Sequence, residues 1–256
     1  KNYWKELLYD ICNRRHTWDW MTRLNSHSFP EGVELTKDDY VIICGDFGLW
    51  HDTKEERHNL EWLDNKPFTT LFVCGNHENY DRLYEYPVEE WNGGKIHKIC
   101  SSVFHLMRGQ VFDIQGKRFF TFGGASSHDV QDGILEPDDP RISKWYRDYD
   151  KMFRINHTSW WKEELPSEEE MTEGMMNLKQ NGSQVDYIIT HSPYTSALRQ
   201  MDQGIAVAKT DILTDYLQEI KESVEYKKWF FGHMHVNQNF PEDNAIAIYE
   251  QIIRIL

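Results

Sequence analysis

The chain has 256 residues and sets 28 basic against 42 acidic side chains, a formal charge of −14. That balance argues against the broad phosphate-backbone footprint that long nucleic acids require and favours a small-molecule substrate. No apolar stretch approaches the ~20 residues of a membrane span. Cys12, Cys44, Cys74 and Cys100 lie too far apart for a Cys-x-x-Cys zinc pair or a secreted disulfide framework, so reduced thiols in a cytoplasmic protein are the expectation.

Trp4, Leu7, Leu8 and Ile11 recur at helical spacing, which predicts an amphipathic helix at the start of the chain. Val41-Ile42-Ile43-Cys44 is a short β-branched run stopped by Gly45-Asp46 and reads as a buried strand. Thr53-Lys54-Glu55-Glu56 has the form of a capping box, and Leu60 with Leu63 supplies an inward face. A helix therefore joins that strand to the next, Leu71-Phe72-Val73-Cys74, as a right-handed crossover between parallel strands. Beyond Gly75-Asn76-His77-Glu78 the pattern turns to antiparallel pieces at 103–106, 110–114 and 118–122, the last two joined around Gln115-Gly116. Residues 126–166 are rich in Asp, Pro, Arg and Trp without a clean period, so 126–182 reads as a lid or insertion that ends in a helix. That helix starts with Ser167 and Glu170 and stops at Asn181-Gly182. Tyr187-Ile188-Ile189-Thr190 and Trp229-Phe230-Phe231 are two further buried strands, with a helix over about 211–220 between them. Segments 245–249 and 251–256 close the chain as strands.

Four of these runs stop at a potential metal ligand: Asp46, Asn76, His191, and His233 with His235. Ligands at the carboxyl ends of neighbouring strands in an open α/β sheet converge on one crevice. A domain boundary between Asp46 and His235 would split that crevice, so residues 1–256 read as a single domain. Carboxylate, amide oxygen and imidazole form a mixed O/N set suited to manganese, iron or zinc rather than calcium. Two such ions roughly 3.5–4 Å apart hold a water between them, lower its pKa and stabilise attacking and leaving oxygens during displacement at phosphorus. His77 stands next to Asn76 and is placed to protonate a departing alkoxide, with Glu78 or Asp81 as the carboxylate that orients it.

Gly45-Asp46, Gly75-Asn76-His77-Glu78, His191 after a strand and Gly232-His233-Met234-His235 resemble, in order and spacing, the calcineurin-like metallophosphoesterases. The resemblance implies an α/β fold, a four-layer α/β/β/α sandwich of two mixed sheets flanked by helices. It also implies a dinuclear centre whose metal-bridging hydroxide hydrolyses phosphomonoesters or phosphodiesters. On it, Asp46 bridges two divalent metal ions; Asn76, His191 and His233 complete one site; His235 serves the other; His77 is the catalytic histidine. Members begin with a strand ending in Asp-x-His, and the expectation is that this strand lies upstream of Lys1. Phe47-Gly48 stands where the Ser/Thr protein phosphatases carry Asp-Arg-Gly, so protein dephosphorylation is not favoured. The rival reading is a non-catalytic scaffold or binding protein on the same fold.

The remaining candidates are weaker. His128-Asp129 follows a strand and Gly123-Gly124, and can face the site. Arg82, Arg108, Arg141 and Arg154 have the chemistry of phosphate clamps. Trp145, Trp160 and Trp161 can stack on an aromatic leaving group or, more commonly, pack a lid. His51, His58, His97, His105 and His157 have structural or surface roles as the default.

Overall fold

The computed structural model describes residues 6–9, 19–49, 51–201 and 209–255. Its first half supplies β1 (Glu6–Tyr9), α1 (Asp19–Arg23), β2 (Tyr40–Ile43), α2 (Lys54–Asp64), β3 (Thr69–Phe72), α3 (Tyr80–Leu83), β4 (Val88–Trp91), β5 (Gly94–Lys98) and β6 (Val103–Leu106). The second half supplies β7 (Gln110–Ile114), β8 (Lys117–Phe122), β9 (Gly133–Leu135), α4 (Ile142–Trp145), β10 (Phe153–Ile155), α5 (Glu168–Gln180), β11 (Tyr187–Thr190), α6 (Thr195–Met201) and α7 (Ile212–Ser223). It closes with β12 (Lys228–Phe231), β13 (Gln238–Phe240), β14 (Ala245–Ala247) and β15 (Ile253–Ile255).

One sheet has the order β15-β1-β2-β3-β6-β5-β4, the other β13-β14-β12-β11-β8-β7, and β9 with β10 forms a small ribbon apart from both. β1, β2, β3 and β6 run parallel, as do β8, β11, β12 and β14, while the outer strands of each sheet turn back antiparallel. The strands alternate their loyalties as the two-residue period demands. Val41 and Ile43 pack outward with Leu60 and Leu63 of α2, whereas Ile42, Leu71, Ile189 and Phe230 meet between the sheets. Phe120, Phe122 and Trp229 face α5 and α7 on the far side. Helices outside and sheets inside make the expected four layers, and each fully buried Leu, Ile or Phe contributes about 1.5–3 kcal/mol.

One element is a correction. Leu7 and Leu8 lie not in a helix but in β1, which pairs parallel with β2 and antiparallel with β15; Trp4 and Ile11 fall outside the described residues. The open edge of β2 offers a ladder to any apolar segment that reaches it, and that tertiary contact outweighs local helical spacing. Beside β2 the chain itself supplies the strand β1. The capping box at Thr53 is also only half made: the Thr53 side chain accepts from the Glu56 amide at 3.1 Å, but Glu56 turns its carboxylate to the His51 amide and to Arg82. The box at Ser167 and Glu170 is complete.

The loops that follow β2 and β3 are tied by one side chain. Glu78 is fully buried, and its carboxylate accepts the amides of Phe47 at 2.7 Å, Gly48 at 2.8 Å, Leu49 at 3.3 Å and Gly75 at 3.4 Å. Burial and the nearby Asp46 charge push the Glu78 carboxyl up to about 7, against the pull of those amides. Phe47 stacks on Phe72 of β3 at 4.0 Å between centroids, so the first loop is pinned from both sides. In Glu78→Gln an NH2 group replaces one acceptor and strands the two amides that oxygen takes. Each stranded amide costs about 1–3 kcal/mol, a loss that urea denaturation will measure; unchanged stability would mean the amides find other partners.

Candidate metal centre

Asp46 follows β2 by three residues and sits at φ +52°, a left-handed conformation that aspartate tolerates better than most residues. Gly45 before it has φ +111°, and a Cβ there would lie 2.0 Å from His191 Nδ1. A Cβ on Gly75 would lie 2.0 Å from Asp46 Oδ1. Glycine is thus required on both loops because side chains from elsewhere pass through the space. Asp46 Oδ1 accepts the His77 amide at 3.0 Å, which joins the two loops a second time.

His191, at the end of β11, is fully buried and its Nδ1 lies 2.7 Å from the Cys44 carbonyl oxygen. A carbonyl can only accept, so Nδ1 carries a proton and donates it, and Nε2 is the ring nitrogen turned to Asp46. That Nε2 is 3.3 Å from Asp46 Oδ1. Burial alone would raise the Asp46 carboxyl, but the imidazoles of His191 and His77 outweigh it and hold it well below the usual carboxylate range. Asp46 Oδ2 and Asn76 Oδ1 are both buried without a hydrogen-bond partner. Asn76 is held by its other end, where Nδ2 donates to Ser127 Oγ at 3.1 Å.

His233, after β12, adopts φ +66°; its ring edge meets His191 at 5.0 Å between centroids, and its Nε2 lies 2.7 Å from His128 Nε2. His235 stacks on Tyr249 at 5.2 Å and stands within electrostatic reach of His233. Asp46, Asn76, His77, His191 and His233 are therefore joined into one cluster, with His235 at its rim. Among the described residues no three His, Cys, Asp or Glu side chains meet closely enough to grip an ion by themselves. One donor, Asn76, is of another type, and His233 is turned onto His128. The donor chemistry nonetheless fits a divalent cation: Asp46 Oδ2 and Asn76 Oδ1 are buried oxygens without a hydrogen-bond partner among the described residues, and His191 Nε2 lies 3.3 Å from the Asp46 carboxylate.

His77 is half-buried, and burial lowers its pKa below the usual histidine value. Neither carboxylate expected to orient it does so: Glu78 is spent on backbone amides, and Asp81 accepts from Trp161 Nε1 at 2.7 Å and meets His157 Nδ1 at 2.8 Å. The groups that act on His77 electrostatically include Arg154 and Asp129, from the insertion. Arg154 is nearly buried, with Nε on Asp129 Oδ1 at 2.8 Å and Nη1 on the Ser159 carbonyl at 2.8 Å.

The other arginines are spent on structure or lie outside. Arg82 pairs with Glu56 and Asp52, Arg108 is buried on Glu170, Tyr80 and four backbone carbonyls, and Arg141 pairs with Asp139 at the surface. Trp161 is fully buried core, and Trp145 packs edge-on against Phe153. His97 and His105 face each other across β5 and β6 with Nδ1 atoms 2.9 Å apart. The sequence does not single out Ser127 and Glu164, whereas Arg154 and Asp129 are among its candidates and the structure pairs them. Only His128-Asp129 after Gly123-Gly124 signalled that this loop turns inward.

A comparison with curated proteins gives no match. Among solved structures, a phosphopantetheinyl hydrolase from Mycobacterium tuberculosis is similar with a TM-score of 0.43 and 14% identity, over 98% of this chain and 96% of that one. The model of the calcineurin-like phosphoesterase family matches residues 12–237, and the chain belongs to that family.

Proposed function

We propose that the protein is a metal-dependent phosphoesterase that hydrolyses phosphomonoesters or phosphodiesters of small molecules with two divalent cations. The observation that carries the reading is the pair of buried oxygens without a partner, Asp46 Oδ2 and Asn76 Oδ1, beside a His191 ring whose proton is tied to Cys44. Asp46, Asn76, His191, His233 and His235 would hold the cations, which when bound supply Lewis acidity at phosphorus and acidify water. His77 gives a proton to the departing oxygen, and the pKa lowered by burial makes its imidazolium a stronger acid for that transfer. Arg154, braced by Asp129, neutralises charge on the phosphoryl oxygens opposite the cations.

The sequence next to the end of β1 reads Asp10-Ile11-Cys12, a carboxylate and a thiol in the Asp-x-Cys order where the family pattern is Asp-x-His. These residues lie outside the described ones. A thiol in place of the imidazole is a softer donor and draws that position toward zinc or iron. No helix among the described residues is long and apolar enough to cross a membrane, and Cys44, Cys74 and Cys100 are thiols rather than disulfides, which suits the proposed cytoplasmic setting.

Purified protein supplied with manganese or zinc hydrolyses p-nitrophenyl phosphate or bis(p-nitrophenyl) phosphate, and chelation stops it. Asp46→Asn and His233→Ala each lower kcat/KM by about 100-fold or more, in line with the loss of a group that stabilises developing charge. Full activity in both variants would reject the assignment and favour a scaffold. Arg154→Ala raises KM about tenfold in steady-state kinetics, the scale of one lost charge-assisted hydrogen bond, and Arg154→Lys recovers only part because it lacks the planar fork. An unchanged KM would remove Arg154 from substrate binding.

A further inference from the structure

The hydrogen bonds of Asn76 lead away from the site into the insertion. Asn76 Nδ2 donates to Ser127 Oγ at 3.1 Å, and the Ser127 amide donates to Glu164 Oε2 at 3.2 Å. All three residues are buried, at 4%, 6% and 1% exposure. Burial pushes the Glu164 carboxyl up to about 8, and the Ser127 side chain lies close enough to it to pull the other way. A hydroxyl has one proton to give, so once it goes to Glu164 the oxygen is left as an acceptor for the asparagine amide.

We propose that Ser127 and Glu164 are positioning residues that fix which end of the Asn76 amide faces the metal centre. The proposal rests on the reading that Asn76 Oδ1 binds a divalent cation. An amide has nearly the same shape whichever way it is flipped, yet one flip presents an oxygen lone pair and the other presents two N–H donors to a cation. Among the described residues no hydrogen bond on the Oδ1 side makes the choice, since that atom is buried without a partner there. The choice is made at Nδ2, where Ser127 accepts.

Glu164 can do this because the fold carries it there. It ends the short 3-10 turn Lys162–Glu164, whose backbone packs against the 123–127 loop. Gly124, at φ +100°, leaves the room, for a Cβ on it would lie 2.5 Å from the Glu164 carbonyl oxygen. Arg108 Nη2 clamps the same turn, 2.7 Å from the Glu163 oxygen and 3.3 Å from that of Glu164. The insertion thus supports Asn76 from behind.

The test is calorimetric titration of the metal-free full chain with manganese, alongside its thermal melting without metal to confirm that each variant folds. Ser127→Ala weakens manganese binding about 10–100-fold, the usual effect of losing a group behind a ligand. Glu164→Leu does the same, while Glu164→Gln, which keeps an acceptor oxygen, restores binding. In an Asn76→Asp background Ser127→Ala costs nothing further, because a carboxylate offers oxygen at both ends and has no flip to fix. Unchanged binding in Ser127→Ala, or an equal loss in the Asn76→Asp background, overturns the proposal. If Asp46→Asn and Asn76→Ala also bind manganese as wild type, the metal reading falls with it; if those two lose binding, only the positioning role falls.

Discussion

Four backbone amides from two loops end on one carboxylate, that of Glu78. Amides that point inward at a strand end have no ladder partner and no water, and each must be satisfied or the loop opens. A single acceptor shared by the loops after β2 and β3 makes them one body. Asp46 and Asn76, one on each loop, are therefore held at a fixed separation before any ligand arrives. The cost falls on glycine: Gly45 and Gly75 leave the space that the His191 ring and the Asp46 carboxylate fill. Phe47 on Phe72 and the Tyr80 hydroxyl on the Gly75 carbonyl at 2.6 Å lock the outer side of the same body.

That rigidity lets the chain keep a centre that is unfavourable by itself. Asp46 Oδ2 and Asn76 Oδ1 forgo hydrogen bonds in a buried place, and each such atom costs about 1–3 kcal/mol. A loosely packed loop would relieve the cost by turning them to solvent. Here the core on either side prevents it, with Val41 and Ile43 packed outward and Ile42 and Leu71 packed between the sheets. Stability gathered in the apolar layers holds a polar cluster in an arrangement that serves binding rather than folding.

The sequence made the framework readable because its strands are fully buried. Four apolar runs became β2, β3, β11 and β12, and the two-residue turn Gln115-Gly116, with φ +52° and +75°, joins β7 to β8 as expected. The same turn chemistry at Asn92-Gly93, φ +48° and +91°, went unread because β4 shows no buried face to mark it as a strand. The start of the chain misled for the opposite reason: apolar residues at helical spacing also fit a strand, and only the edge of β2 decides. In the site, residue types at strand ends could be named from sequence, but their supports could not. Glu78 acts on Phe47 from 31 positions away, and Ser127 on Asn76 from 51. Among four arginines of equal chemistry, only tertiary contact separates Arg154 from the three spent elsewhere.

The two imidazoles at the heart of the cluster are set by one device used twice. In His191 the Cys44 carbonyl takes the Nδ1 proton, and Nε2 is left toward Asp46. In His233 the partner is His128, whose Nε2 lies 2.7 Å from its own. Only one proton fits between two imidazole nitrogens at that distance, and burial holds the His233 pKa well below the usual value. When the proton sits on His233 Nε2, His128 plays the part of the Cys44 carbonyl and the lone pair of the neutral His233 ring is on Nδ1. When it sits on His128, the lone pair of His233 Nε2 is occupied. A carbonyl permits one tautomer, whereas an imidazole permits two, so the His191 position is committed by the backbone while the His233 position depends on where one proton rests.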